Sequence, residues 1–358
     1  MRVLELFSGY GTASFALKRL GIDYELVGYS DIDKYANQCF KQNHCPDDID
    51  DKLRLGDVTK VDEKTLPDFD LLTGGFPCQA FSVAGRMQGE ADPRGTLFYE
   101  IIRIAEHKQP KYMLLENVKG LTTKKFKDTF DKILGELDRI GYYVYWKILN
   151  TKDYGIPQNR ERVWFVCMHK DLVANPHIFN FPEKEELKLF LKNILEEEVD
   201  EKYNLTQKQI KHLVNHINKR FKLDDDGCIN CLGTCFGRIG SSSEELEIFR
   251  RTNNAVIKRI QFDISGKGYN SQQDRAYFSN GLMCCLPNAN PINKLNIIEL
   301  IDNGFIFRRL TPKEAFRCQG FLNDDVNLEN ISDTQAYNLA GNGQSVNVVE
   351  KIFKEMFK

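Results

Sequence analysis

Two hydrophobic periods alternate along the first 170 residues. Short apolar runs predict β-strands at 2–7 (RVLELF), 24–30 (YELVGYS), 52–57 (KLRLGD), 70–75 (DLLTGG), 112–117 (YMLLEN), 143–149 (YVYWKIL) and 162–168 (RVWFVCM). Between several of them the spacing becomes helical, in TASFALKRLG, DKYANQCFKQN, LFYEIIRIAEHK and FKDTFDKILGELDRIG. In the last stretch Phe126, Phe130, Ile133, Leu134 and Leu137 share one face, and Gly141 stops the helix. Such alternation predicts an α/β fold, a mainly parallel sheet with helices on both faces.

The pattern changes near residue 180. The charged stretch PEKEELKLFLKNILEEEVDEKYNLTQKQIKHLVNHI reads as helical, and residues 223–300 are rich in Asn, Gly, Ser and Cys without α/β alternation. From RRLTPKEAFRCQGF onward helical patterns return, and Val346, Val349, Ile352, Phe353 and Met356 form one apolar face. The expected division is a first domain over 1–180, a smaller irregular domain over 181–305, and a return to the first domain over 306–358.

Composition narrows the class. At 42% hydrophobic and 28% charged residues the chain is globular, and no run approaches the roughly 18 apolar residues of a membrane span. The N-terminus reads as a strand rather than a signal peptide. Ten cysteines without such a signal suggest reduced thiols and a cytoplasmic protein. A net charge of −2 neither supports nor excludes a polyanionic partner, because local patches decide that.

Candidate chemistry gathers at strand ends. LELFSGYGTASFAL is a strand, a Gly-x-Gly turn and a helix, a cradle for a nucleotide-type ligand. Ala13 and Ser14 stand where a dinucleotide fingerprint needs a third glycine, so a dehydrogenase fits poorly. Asp31 ends the second run, suited to ribose hydroxyls, and Asp57 ends the third, suited to an adenine amine. Together they outline an adenosine pocket without a pyrophosphate site, which fits S-adenosylmethionine. Cys78 follows the fourth run, Glu116 and Asn117 end the next, and Gln158, Arg160 and Arg162 precede or open the last. A thiolate is a nucleophile whose pKa nearby arginines lower, and a glutamate can share a proton with a ring nitrogen.

The motifs FSGYGT, DIDKYA, GDVT, GGFPCQAFS, RGTLF, ENVKG, QNRERV, RRLTPKEAFRCQGF and AGNGQSVNVV occur in one order along nearly the whole chain outside 170–300. In this order they resemble the bacterial-type DNA (cytosine-5-)-methyltransferase family. The resemblance implies a Rossmann-like methyltransferase sheet with a target-recognition domain, and S-adenosylmethionine as cofactor. It implies Cys78 as nucleophile at carbon-6 of a flipped cytosine, Glu116 at N3, Arg162 at O2, and Arg160 near O2 or a phosphate. By the same resemblance Phe7, Gly9, Gly11, Asp31, Asp57, Gly75, Pro77, Leu97 and Asn342 line the cofactor site. Phe76 and Pro77 shape the base pocket, and Ile32 stands where some members stack an aromatic residue on adenine. Ser82 contacts a phosphate, Gln272 fills the hole left by the flipped base, and Arg275 contacts the backbone or a guanine. The step GNGQSV, against the commoner GNSV, leaves Gly343 and Gln344 unassigned.

Expected partners are double-stranded DNA and no membrane. A cognate restriction endonuclease acting on the same site is a candidate, and the expected state is a prokaryotic, nucleoid-associated monomer. His212, His216, Cys228 and Cys231 have zinc-like spacing, but the resemblance implies no metal. The alternatives are an RNA (tRNA) cytosine-5 methyltransferase and an inactive DNA-binding module on the same fold. The first has a different middle region, and the second leaves Cys78, Glu116, Arg160 and Arg162 without a purpose.

Overall fold

The computed structural model describes residues 1–77, 97–175, 177–206, 276–278, 283–284, 296–301, 304–322 and 326–358. Strands β1 (Arg2–Leu6), β2 (Glu25–Ser30), β3 (Leu71–Gly75), β4 (Tyr112–Val118), β5 (Tyr142–Asn150) and β7 (Glu161–His169) form one sheet, in the order β2-β1-β3-β4-β7-β5. The pairs from β2 to β4 are parallel, whereas β7 lies antiparallel to both β4 and β5. The reason is connection length. Helices α1 (Thr12–Arg19), α2 (Lys34–His44), α3 (Leu97–Lys108) and α4 (Lys127–Arg139) lie between the first strands, but only a turn and the two-residue β6 (Gln158–Asn159) separate β5 from β7. So short a link allows only a reversal of direction.

Successive side chains alternate between the two faces of the sheet. Val3, Leu71, Leu114, Trp164 and Val166 enter the core on one face, with α1, α2 and the C-terminal helices. Leu4, Leu72, Met113, Leu115, Val163 and Phe165 enter the other, with α3 and α4. The C-terminal helices are α5 (Pro312–Arg317), α6 (Asp333–Asn342) and α7 (Val346–Met356). All five apolar residues expected on one face of α7 are buried there, and Arg19 of α1 pairs with Glu350 at 3.1 Å. Helix α5 starts with a reciprocal cap. The Thr311 side chain accepts from the Glu314 N–H, Glu314 accepts from the Thr311 N–H, and Pro312 opens the helix. Glu314 also receives both guanidinium nitrogens of buried Arg308 at 2.8 Å.

Two expectations need correction. The stretch 52–57 is no strand. Tyr29 exchanges backbone bonds with Leu53 and Leu55, forming one isolated bridge at Arg54, and Gly56 at φ 70° turns the chain away. The stretch 182–206 contains no α-helix, only two 3₁₀ turns at Leu191–Ile194 and Glu201–Tyr203. Its apolar residues Leu191, Ile194, Tyr203 and Leu205 are buried, but they do not recur at a helical period. Instead the segment lies along the C-terminal part, where the Glu196 N–H donates to Glu314 and Arg317 to the Ile194 carbonyl. Beyond it, β8 (Ala276–Phe278), β10 (Asn296–Ile301) and β11 (Gly304–Arg309) form a three-stranded sheet, and β9 (Met283–Cys284) pairs with β6. Among the described residues no helix is long and apolar enough to cross a membrane.

Candidate active site

The site lies at the carboxyl ends of β1 to β4, where open α/β sheets hold ligands. After β1 the chain turns through Phe7 at φ 51°, Gly9 at 55° and Gly11 at 84°. A side chain at Gly9 would meet nothing within 4 Å, so that turn faces open space. Gly11 differs: a Cβ there would overlap the His44 ring and lie 2.9 Å from Phe40. Its lack of a side chain makes room for the packing of α1 on α2. His44 is half-buried there with its Nε2 3.0 Å from the Tyr10 carbonyl, and desolvation lowers its pKa to about 3.

Asp31 is tied to this turn. Its Oδ2 accepts the Gly9 N–H at 3.0 Å and its Oδ1 the Asp33 N–H at 2.9 Å, while burial raises its carboxyl pKa against those bonds. The next residue, Ile32, is 83% exposed, an apolar side chain left in solvent beside a fixed carboxylate. Asp57 caps the turn Val58–Lys60. Its Oδ1 accepts from the Thr59 hydroxyl and N–H, which lower its pKa. Leu97, half-buried, opens α3, and Asn342 is exposed at the end of α6. An open glycine turn, an exposed Ile32 and carboxylates after two neighbouring segments fit an adenosine-bearing ligand.

Register builds the other half. Gly75 pairs with Glu116, and Glu116 lies opposite Trp164 on antiparallel β7. Arg162, two residues before Trp164, therefore shares the face of Glu116 as its diagonal neighbour. The Arg162 Nε lies 3.0 Å from Glu116 Oε1, and both are largely buried. Burial raises the Glu116 pKa, and the charges of Arg162 and Arg160 act against that rise. The Glu116 Oε2 faces Gly75, 3.2 Å from where a Cβ would sit, so Gly75 is a cradle that any side chain would fill.

Four residues given no role in the site from the sequence hold this half together. The Asn117 amide donates to the Phe76 carbonyl at 3.4 Å, anchoring the chain two residues before Cys78. Tyr10, fully buried, donates to the Gln344 carbonyl. Gln344 places its Nε2 3.0 Å from the same Cβ position over Gly75. Gly343 lies against the Tyr10 ring with no room for a side chain. The one signal for these contacts was the longer GNGQSV step.

Arg160 is placed differently from Arg162. It is buried, and its Nη1 and Nη2 donate to the Gly341 and Gly343 carbonyls at 3.2 and 2.6 Å. This guanidinium grips the C-terminal loop. Gln158 is fully buried with neither amide atom hydrogen-bonded. Pro77 is half-buried, whereas Cys78, Ser82, Gln272, Arg275 and the His212, His216, Cys228 and Cys231 group lie outside the described residues. Among the described residues no cluster of metal-ligating side chains occurs.

A strand-end adenosine cradle beside a buried carboxyl–guanidinium pair defines a class, the S-adenosylmethionine-dependent methyltransferases. The family model for the C-5 cytosine-specific DNA methylases matches residues 1–358, and the chain belongs to that family. Its activity is accordingly that of a DNA (cytosine-5-)-methyltransferase. It is 33% identical to the orphan methyltransferase M.SPRI of Bacillus phage SPR, over 99% of this chain and 97% of that one. It is 32% identical to the type II methyltransferase M.HhaI of Haemophilus parahaemolyticus, over 98% and 93%. Among solved structures, Spodoptera frugiperda DNMT2 superposes with a TM-score of 0.66 at 20% identity, covering 100% of this chain and 99% of that one. A putative DNA modification methyltransferase from an E. coli prophage gives 0.57 at 20%, covering 100% and 98%. These two likenesses concern the fold.

Proposed function

We propose that this protein methylates carbon-5 of cytosine at a specific site in double-stranded DNA, through a flipped base and a covalent Cys78 adduct at carbon-6. The supporting observation is the Glu116–Arg162 pair, 3.0 Å apart, on the sheet face over Gly75, three residues before Cys78. Carbon-5 of cytosine is a poor nucleophile. Addition of the Cys78 thiolate to carbon-6 converts the ring to an enamine, and Glu116, kept protonatable by burial, supplies or holds the proton at N3. Arg162 fixes the carboxyl and faces O2. Bound S-adenosylmethionine supplies an electrophilic methyl group. Loss of the carbon-5 proton and elimination of the Cys78 thiol then restore aromaticity.

Phe7, Gly9, Gly11, Asp31, Asp57, Gly75, Pro77, Leu97 and Asn342 would hold the cofactor, with Ile32 covering the adenine. Ser82, Gln272 and Arg275 would meet DNA, with the middle region over 181–305 reading the target. The orphan and type II relatives support a role as an orphan or restriction-modification enzyme.

Methyl transfer from labelled S-adenosylmethionine to duplex DNA, against RNA of matched sequence, tests the reading. DNA is expected to accept the label, and RNA alone accepting it would overturn the reading. Cys78→Ala is expected to abolish transfer and the covalent complex with 5-fluorocytosine DNA, while duplex binding survives. Full activity in that variant would remove Cys78 from its role.

A further inference from the structure

The loop after α6 brings Gln344 to the site from far along the chain. Its backbone has little freedom. Tyr10 donates to the Gln344 carbonyl, Arg160 holds the carbonyls of Gly341 and Gly343, and the neighbouring Ser345 hydroxyl donates to Gln319 at 2.8 Å and lies 2.9 Å from the Thr151 hydroxyl. With its main chain so held, Gln344 directs its side chain over Gly75. The atom that comes nearest is Nε2, the donor end of the carboxamide, at 3.0 Å from the Cβ position. Glu116 Oε2 approaches the same position to 3.2 Å, and Glu116 Oε1 already faces Arg162. A donor and the second oxygen of a buried acid thus border one small volume.

We propose that Gln344 is a positioning residue for Glu116. Its amide N–H, through one polar group seated over Gly75, stabilises the ionised carboxyl at Oε2 until the target base takes that place. The proposal rests on the methyltransferase reading for its consequence but not for its geometry. Among the described residues, the charged groups facing Glu116 are Arg162 on β7 and Arg160 in the turn before it. Gly75 on β3 contributes no side chain, and Asn117 beside it on β4 is neutral. Those cations lower the carboxyl pKa and burial raises it. Gln344 adds a neutral donor on the Oε2 side of the carboxyl, away from the Oε1 that faces Arg162. A hydrogen bond to the charged form of an acid favours that form, so removing it makes the acid harder to ionise.

The test uses the isosteric Gln344→Met, which lacks the donor, and Gln344→Glu, which replaces it with a second carboxyl. In the cofactor-free protein, infrared titration follows the carbonyl band of the protonated buried carboxyl, assigned by its loss in Glu116→Gln. The midpoint is expected to rise by about one pH unit in Gln344→Met, and further in Gln344→Glu. In methylation at sub-saturating DNA, whose pH profile reports the free enzyme, the alkaline limb governed by protonated Glu116 should move up by the same amount. A merely structural loss would lower the rate at every pH without moving that limb. An unchanged infrared midpoint in both variants overturns the proposal. If wild-type protein transfers no methyl group to DNA while the midpoint still shifts, the functional reading fails and the positioning role stands.

Discussion

The two halves of the site are built by opposite means. The half proposed to hold the cofactor, at the ends of β1 and β2, consists mostly of backbone: a turn with positive φ at Phe7, Gly9 and Gly11, and carboxylates held by N–H groups. The base half consists of side chains from distant parts of the chain. Arg162 meets Glu116 across antiparallel strands, Arg160 grips a loop more than 180 residues later, and Gln344 returns from that loop to Gly75. Turns make a binding surface robustly, because most of its bonds close within two residues and the longest reaches only to the neighbouring strand end. A reactive carboxyl needs burial and opposed charges together, and only long-range packing supplies both.

The sharpest way to break this contrast is to separate the two arginines. Arg160→Ala leaves the Gly341 and Gly343 carbonyls without their donor, and about 2–4 kcal/mol of stability should be lost along with activity. Arg162→Ala should lower the methyl-transfer rate much more than the urea midpoint. Equal losses of stability in both would show that the base half has no separate catalytic and scaffolding arginines.

A second test probes the floor beneath the cofactor half. Glu5 on β1 is buried and accepts from both the N–H and the hydroxyl of Ser14. Desolvation raises its pKa from 4.5 to about 7, opposed by the Ser14 bonds. A carboxyl raised in the folded state contributes stability that is complete below about pH 4.5 and is lost as pH rises through about 7. Glu5→Gln should remove that slope. Its stability relative to wild type should therefore improve from pH 5 to pH 8 by up to about 3 kcal/mol in urea denaturation. Parallel pH profiles would show that Glu5 does not titrate in this window.

The smallest effect belongs to Ile32. Because it is 83% exposed, Ile32→Ser should change stability by less than about 0.5 kcal/mol. Calorimetry should find S-adenosylmethionine binding weakened roughly three- to tenfold, the scale of one lost apolar contact. Unchanged affinity would take Ile32 out of the cofactor half.

Much of this was legible before the structure. The alternation that predicts 162–168 as a strand yields β7 at Glu161–His169, and the apolar face read in the last helix is the one α7 buries. The run at 52–57 misled because Leu53 and Leu55 have a strand's alternation, while Gly56 ends the ladder after one bridge. Gly11 shows a different limit. A glycine in a nucleotide-type turn has the same signature whether it admits a ligand, a neighbouring helix or both, and only the position of His44 reveals the helix.

What the sequence determined by itself was the local part: most of the elements set by hydrophobic period, and the residue types gathered at strand ends. The tertiary structure decided how those residues face one another. It turned β7 antiparallel so that Arg162 and Glu116 share a face, assigned Arg160 to the C-terminal loop, and brought Gln344 over Gly75. The physical reason is range. Periodicity and capping act within a few residues, whereas strand register and loop return depend on packing between segments far apart in the chain, which no local pattern encodes.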